Sequence, residues 1–177
     1  MGKFKAYSEE VEVVGQTIMC FIYGIPKYED EMRELLVRHG LEDIQPDGWY
    51  PQQKWLDAFS ELFDSYGPYT LFTLGKSIPE QAAFRLQFTE LEQTLRAVDV
   101  VYQMNHRNGE VGHYTITKFD AELKEALIEC TSPYPADFER GVLVGMIRKY
   151  KTHVGSVPKV ELLSPLTEGF RTFSINW

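Results

Sequence analysis

The chain has 177 residues, 44% hydrophobic and 14% aromatic, which is enough apolar material for one substantial core and implies a single domain over 1–177. Its 18 Lys and Arg are scattered among 26 Asp and Glu for a net charge of −8, a balance that argues against a nucleic-acid backbone as partner. No apolar run near the start suits a signal peptide or a membrane span, and Cys20 and Cys130 are too few and too far apart for a CxxC clip or a disulfide framework. A reducing, cytoplasmic setting is therefore expected. Gly2 is not followed by the Ser or Thr a myristoylation signal needs, since position 6 is Ala6.

The first half reads as helices. "VVGQTIMCFIYGIP" is an apolar helix that Pro26 ends or kinks, and "KYEDEMRELLVRHG" places Met32, Leu35 and Leu36 at helical spacing before a stop at Gly40. Pro51 opens "PQQKWLDAFSELFDSYG", in which Trp55, Phe59, Leu62 and Phe63 share a face. Another helical piece runs through "PYTLFTLGKSIPEQAAF". Thr89 and Glu92 then form a capping box ahead of Leu91, Leu95, Val98 and Tyr102, whose spacing of four, three and four makes an apolar stripe. This helical part extends to about residue 106.

From about residue 107 the pattern becomes β-β-α-β-β. "GHYTITKF" and "EALIECTS" are strands, "ADFERGVLVGMIRKY" is a helix, and "PKVELLS" and "FRTFSINW" are strands again. Asn108 and Gly109 suit a turn with positive φ. The expected fold is α+β, with a four-stranded antiparallel sheet backed by helices. Gly141 and Gly145 lie on one face of the late helix, where missing side chains let it approach a neighbour closely.

The segment "SPYPADFERGVLVGMIRKY" and the closing "FRTFSINW" resemble the vinyl-reductase-like ligand-binding domain superfamily. That group also contains the TRAPP trafficking subunits and the haem nitric-oxide-binding, H-NOX-like sensors. Asp137, Phe138, Arg140, Gly141 and Gly145 match its helix pattern, and Phe173 and Ile175 match its last strand. The upstream "GWYPQQKWLDAFSELFDSYGPYTLFTLGKSI" resembles helices of related bacterial proteins. Together these segments span roughly two-thirds of the chain.

The resemblance also says what has been replaced. Zinc-holding relatives place cysteines where this chain has Ala136, Ser164 and Arg171 before Thr172 and Phe173, so a site of that type is lost. His106, His113 and Cys130 come from unrelated positions and make a poor substitute. In the haem sensors a proximal histidine occupies the position matched by Tyr102, and a Tyr-x-Ser-x-Arg motif that holds the propionates is missing. Tyr102 and His106 are the residues that would hold haem if it were bound.

Read for themselves, the same residues have plainer roles. Tyr102 closes the apolar stripe with its hydroxyl on a polar partner, His106 and Arg107 sit in a turn with a solvated or capping role, and His113 lies on a strand face with Thr115 and Thr117. Cys130 has no neighbouring base to activate it, while Glu129 and Asp99 are isolated carboxylates. There is no GxSxG, no HExxH and no phosphate-cradling loop, for "GVLVG" is inside a helix, so the chain leans away from an enzyme.

The aromatic load is the remaining signal. Trp49, Tyr50, Trp55, Phe59, Phe63, Tyr66, Tyr69 and Phe72 crowd one helical region and mostly belong to a core. The leading expectation is a non-catalytic sensory or carrier domain that takes a small hydrophobic ligand between helices and sheet, without a cofactor, and passes the change to a partner protein or a second copy. Tyr102, Val98, Leu95, Trp55, Phe59 and Phe138 would line the pocket, with Tyr102 orienting the ligand. The alternatives are a haem-based gas sensor and a ligand-free dimeric module like the trafficking subunits.

Overall fold

The computed structural model describes residues 3–81, 90–150, 159–167 and 170–177. Strand β1 (Glu12–Val14) runs directly into helix α1 (Gly15–Tyr23), and the junction must be glycine: a Cβ on Gly15 would lie 1.9 Å from the Gln45 carbonyl oxygen. β1 pairs antiparallel with β2 (Trp49–Pro51) on one side and β3 (His106–Arg107) on the other. Val13 thus stands opposite both Tyr50 and His106. This three-stranded sheet inside the helical half is absent from the sequence reading. Strands of two or three residues are too short to display a period of two, so partners distant in sequence define them.

α1 ends ahead of a short 3-10 turn (Pro26–Tyr28), because Pro26 has no N–H with which to continue the helix. Helix α2 (Glu29–Arg38) opens on Glu29, Asp30 and Glu31, which favour its positive end, and buries Met32, Leu35 and Leu36. Its stop at Gly40 uses a φ of 71°. Helix α3 (Gln52–Tyr66) buries Trp55, Leu56, Phe59 and Leu62. Phe59 is the centre of an aromatic cluster, with edge contacts to Phe21, Tyr134 and Phe138 at centroid distances of 5.3, 5.8 and 4.8 Å.

Helix α4 (Pro68–Gln81) crosses helix α6 (Ala136–Tyr150) with almost no side chain between them. A Cβ on Gly141 would lie 2.2 Å from the Phe72 carbonyl oxygen, one on Gly145 2.4 Å from that of Lys76, and one on Gly75 2.0 Å from that of Phe138. The close approach expected of Gly141 and Gly145 is real, and α4 contributes the third glycine. Helix α5 (Leu91–Met104) begins after Glu90, with no side-chain hydrogen bond at its cap. The capping residue expected there, Thr89, lies outside the described residues.

The second half follows the expected β-β-α-β-β order. β4 (Tyr114–Asp120), β5 (Glu125–Cys130), β6 (Lys159–Thr167) and β7 (Phe170–Asn176) form an antiparallel sheet in the order β4-β5-β7-β6. Alternation along β5 and β7 turns Ala126, Ile128, Cys130, Phe173 and Ile175 inward against Leu143 and Ile147 of α6 and Leu95 and Val98 of α5. In the turn before β4, Asn108 is the residue of the Asn-Gly pair that takes positive φ, at 67°. The chain is therefore α+β, a helical half joined to a four-stranded sheet, and none of the helices among the described residues is long and apolar enough to cross a membrane.

Candidate functional site

A cavity of about 460 Å³ lies among α1, α5 and α6, a size suited to a small organic molecule. Trp55, Val98, Tyr102 and Phe138 line it. Leu95 and Phe59 stand behind the wall instead, Leu95 in the sheet core and Phe59 within the aromatic cluster. Of the other rings of the aromatic run, Tyr66 and Tyr69 are exposed, and Phe63 packs on the rim of the helical core. The aromatic density on α3 and α4 is mostly packing.

Several wall residues have no counterpart in the sequence reading. α1 supplies Gln16, Thr17 and Cys20, which share one side of an otherwise apolar helix, and burial pushes the Cys20 thiol up to about 11. Tyr134, from the loop before α6, stands opposite. Its flanking prolines in "PYP" were the available signal, since they fix the direction of an otherwise featureless loop.

A neutral hydrogen-bonded chain organises the inner wall. His106 Nδ1 lies 2.7 Å from the Tyr102 carbonyl oxygen; a carbonyl only accepts, so Nδ1 carries the proton. Nε2 then accepts from the Tyr134 hydroxyl at 2.7 Å, and that hydroxyl accepts from Gln52 Nε2 at 3.1 Å. Burial holds His106 down at about 4, so it is an uncharged imidazole at neutral pH. This corrects the solvated turn expected for His106: it is 8% exposed and paired to Val13 in the small sheet. Arg107 does face solvent, where it bonds Glu12 at 2.6 Å and covers the Trp49 ring.

Tyr102 has the polar partner a buried tyrosine needs. Its hydroxyl donates to the Val111 carbonyl at 2.5 Å, and burial first, with the neighbouring acidic groups second, pushes its ionisation well above the ordinary range. Its proton is thus committed to Val111, so Tyr102 could meet a ligand only as an acceptor. Tyr134 and His106 are bonded to one another on the same wall, beside Gln16 and Thr17 of α1.

A charged cluster lies behind the same wall. Glu139 is fully buried and pairs with Arg171, Nε to Oε2 at 3.0 Å. Its Oε1 accepts from the Cys130 thiol at 2.9 Å, from the Tyr114 hydroxyl at 3.3 Å and from the Ser132 hydroxyl. Arg171 also donates to the backbone carbonyls of Tyr134, at 2.8 Å, and of Ser132. Burial, then the Glu139 charge, drives Cys130 far above the ordinary thiol range, which leaves it an inert thiol rather than a nucleophile. His113 is exposed beside Asp99 and Glu110, and Asp99 accepts from the Tyr114 backbone N–H at 2.8 Å, so none of His106, His113 and Cys130 shares a site.

Comparison with known proteins places the fold. No protein-family model matches the chain, and no curated protein matches its sequence. Solved structures do. An H-NOX protein from S. oneidensis in the Fe(II) ligation state superposes with a TM-score of 0.71 at 10% identity, covering 92% of this chain and 95% of that one. The Fe(II) unliganded H-NOX protein from K. algicida gives 0.66 at 15% identity over 92% and 95%. An oxygen-binding H-NOX domain related to soluble guanylate cyclases gives 0.66 at 16% over 92% and 91%. The chain has the H-NOX fold. The vinyl-reductase and trafficking-subunit names of the wider resemblance have no support among these neighbours.

Haem would need an iron ligand with a free lone pair and cations for its two propionates. Tyr102, at the position matched to the proximal ligand, is a protonated phenol bound to Val111. His106 has the right tautomer, with a lone pair on Nε2, but the Tyr134 hydroxyl occupies it. Among the described residues the lining includes no Lys, Arg, Asp or Glu, so two propionates find no cation among them. The residues present do not fit haem as they stand.

Proposed function

We propose that this chain is a sensory domain of H-NOX fold that binds a small, uncharged, largely apolar molecule directly in the cavity, without catalysis. The observation that carries the reading is the wall itself: room for a guest of about 460 Å³, and no charged side chain among the described lining residues. Tyr134 and His106 are the polar handles, able to exchange their mutual hydrogen bond for one to the ligand. Because Tyr134 also holds Gln52 of α3, a ligand that shifts it favours one packing of the helical half over another. The exposed side of α5, where Val100 and Met104 stand in solvent, is where a partner protein or a second copy reads that change.

The second reading is a haem-carrying gas sensor. The Fe(II) and oxygen-binding H-NOX neighbours and the His106 tautomer favour it; the occupied Nε2 and the uncharged lining oppose it. Native mass spectrometry with a visible absorption spectrum of the purified chain separates the two. A neutral co-purified mass that disappears when Val98→Trp fills the cavity supports direct binding. A Soret band that survives Tyr102→Phe and vanishes in His106→Ala would replace it with haem.

A further inference from the structure

This inference rests on reading the cavity as a ligand site. We propose that Glu139 determines which ligands the cavity admits: by occupying Arg171 it closes the pocket to anions and reserves it for uncharged molecules. Tyr114 and Tyr134 form the sheet-side wall, and each is tied to the charged cluster behind it. Arg171 stands one layer behind the lining, where it holds the Tyr134 backbone carbonyl at 2.8 Å. Left alone, that fork of donors would draw a carboxylate or sulfonate toward the cavity.

It is not left alone. Glu139, 0% exposed, pairs with Arg171 through Nε at 3.0 Å and Nη2 at 3.2 Å, and Nη1 and Nη2 also donate to the carbonyls of Tyr134 and Ser132. The Tyr114 hydroxyl is likewise spent on Glu139, at 3.3 Å. A ligand anion would lose its hydration, find the Arg171 charge already balanced by Glu139, and be repelled by that carboxylate from behind the wall. A neutral guest avoids all three costs.

The test uses two fluorescent probes that differ by one charged group, phenylnaphthylamine and anilinonaphthalene sulfonate. Energy transfer from Trp55, reduced in Trp55→Phe, locates each probe in the cavity. The unaltered chain should prefer the neutral probe by roughly tenfold or more. Glu139→Gln, which frees Arg171, should narrow that gap by strengthening the sulfonate alone. Glu139→Asp keeps the charge but draws it back, and should give a smaller change in the same direction, which provides a measurement if the glutamine variant does not fold. Equal affinity for the two probes in the unaltered chain, or no change in the folded variants, overturns the assignment to Glu139 and leaves the cavity reading standing. If neither probe enters, the cavity reading itself falls.

Discussion

Tyr134 stands between two buried polar networks of opposite character. On the cavity side, Gln52, Tyr134, His106 and the Tyr102 carbonyl form a chain of neutral bonds, each group giving or taking one proton. On the sheet side, Glu139 and Arg171 form an ion pair in which Glu139 Oε1 accepts from Cys130, Ser132 and Tyr114 while the Arg171 guanidinium donates to backbone carbonyls; among the described residues Glu139 Oε2 and Arg171 Nε have only each other. The neutral chain can trade a partner for a ligand at small cost, whereas the ionic cluster cannot lose either ion without leaving the other charge in a dry interior. The first suits a receptor surface and the second a foundation.

The sharpest way to break this contrast is Arg171→Ala. Removing the cation strands Glu139, and about 3–5 kcal/mol of stability should be lost, read from the urea midpoint at constant slope. A loss below about 1 kcal/mol would mean the pair is as replaceable as a surface bridge.

Acidification probes the neutral side. His106 is held at about 4 against an ordinary 6.5, so between those values the unfolded chain takes up a proton that the native chain refuses. Stability present above the ordinary value is therefore lost as pH falls, and is fully lost once pH passes below the native value, on the order of 3 kcal/mol in all. The difference between the unaltered chain and His106→Gln across this window should carry that slope, and parallel curves would show that His106 is not buried neutral.

Smaller effects grade the two networks. Tyr134→Phe removes the hydroxyl shared by Gln52 and His106 and should cost about 1–3 kcal/mol by leaving both unsatisfied. A ligand supplying a hydroxyl should recover part of that loss in a thermal-shift measurement. Tyr114→Phe withdraws a single donor at 3.3 Å from Glu139 and should cost no more than about 1 kcal/mol, since Cys130, Ser132 and Arg171 remain. A larger loss there than in Tyr134→Phe would reverse the ranking.

Much of the fold was legible before any coordinates. The β-β-α-β-β order shows in alternation and helical spacing because each sheet or helix face must find apolar cover locally along the chain. Gly141 and Gly145 announced a close crossing, although not that Gly75 of α4 would complete it. The site was legible only in part. Val98 and Tyr102 lie on a periodic stripe, and Trp55 and Phe138 on apolar faces, all of which reach the cavity. Leu95 and Phe59 carry the same signals and face solid core, because a stripe tells which side is buried and not whether that side meets a neighbour or a void.

What the sequence determined by itself was composition and period: an acidic α+β chain, its amphipathic helices, its strand order, and the replacement of the thiols and the propionate motif of its look-alikes. Tertiary structure alone decided the rest. His106 meets Tyr134 across 28 residues, Gln52 meets it across 82, and Glu139 meets Arg171 across 32. Separations of that length leave no periodic trace, since a hydrogen bond between distant side chains depends on how whole elements pack and not on the spacing of residues within any one of them.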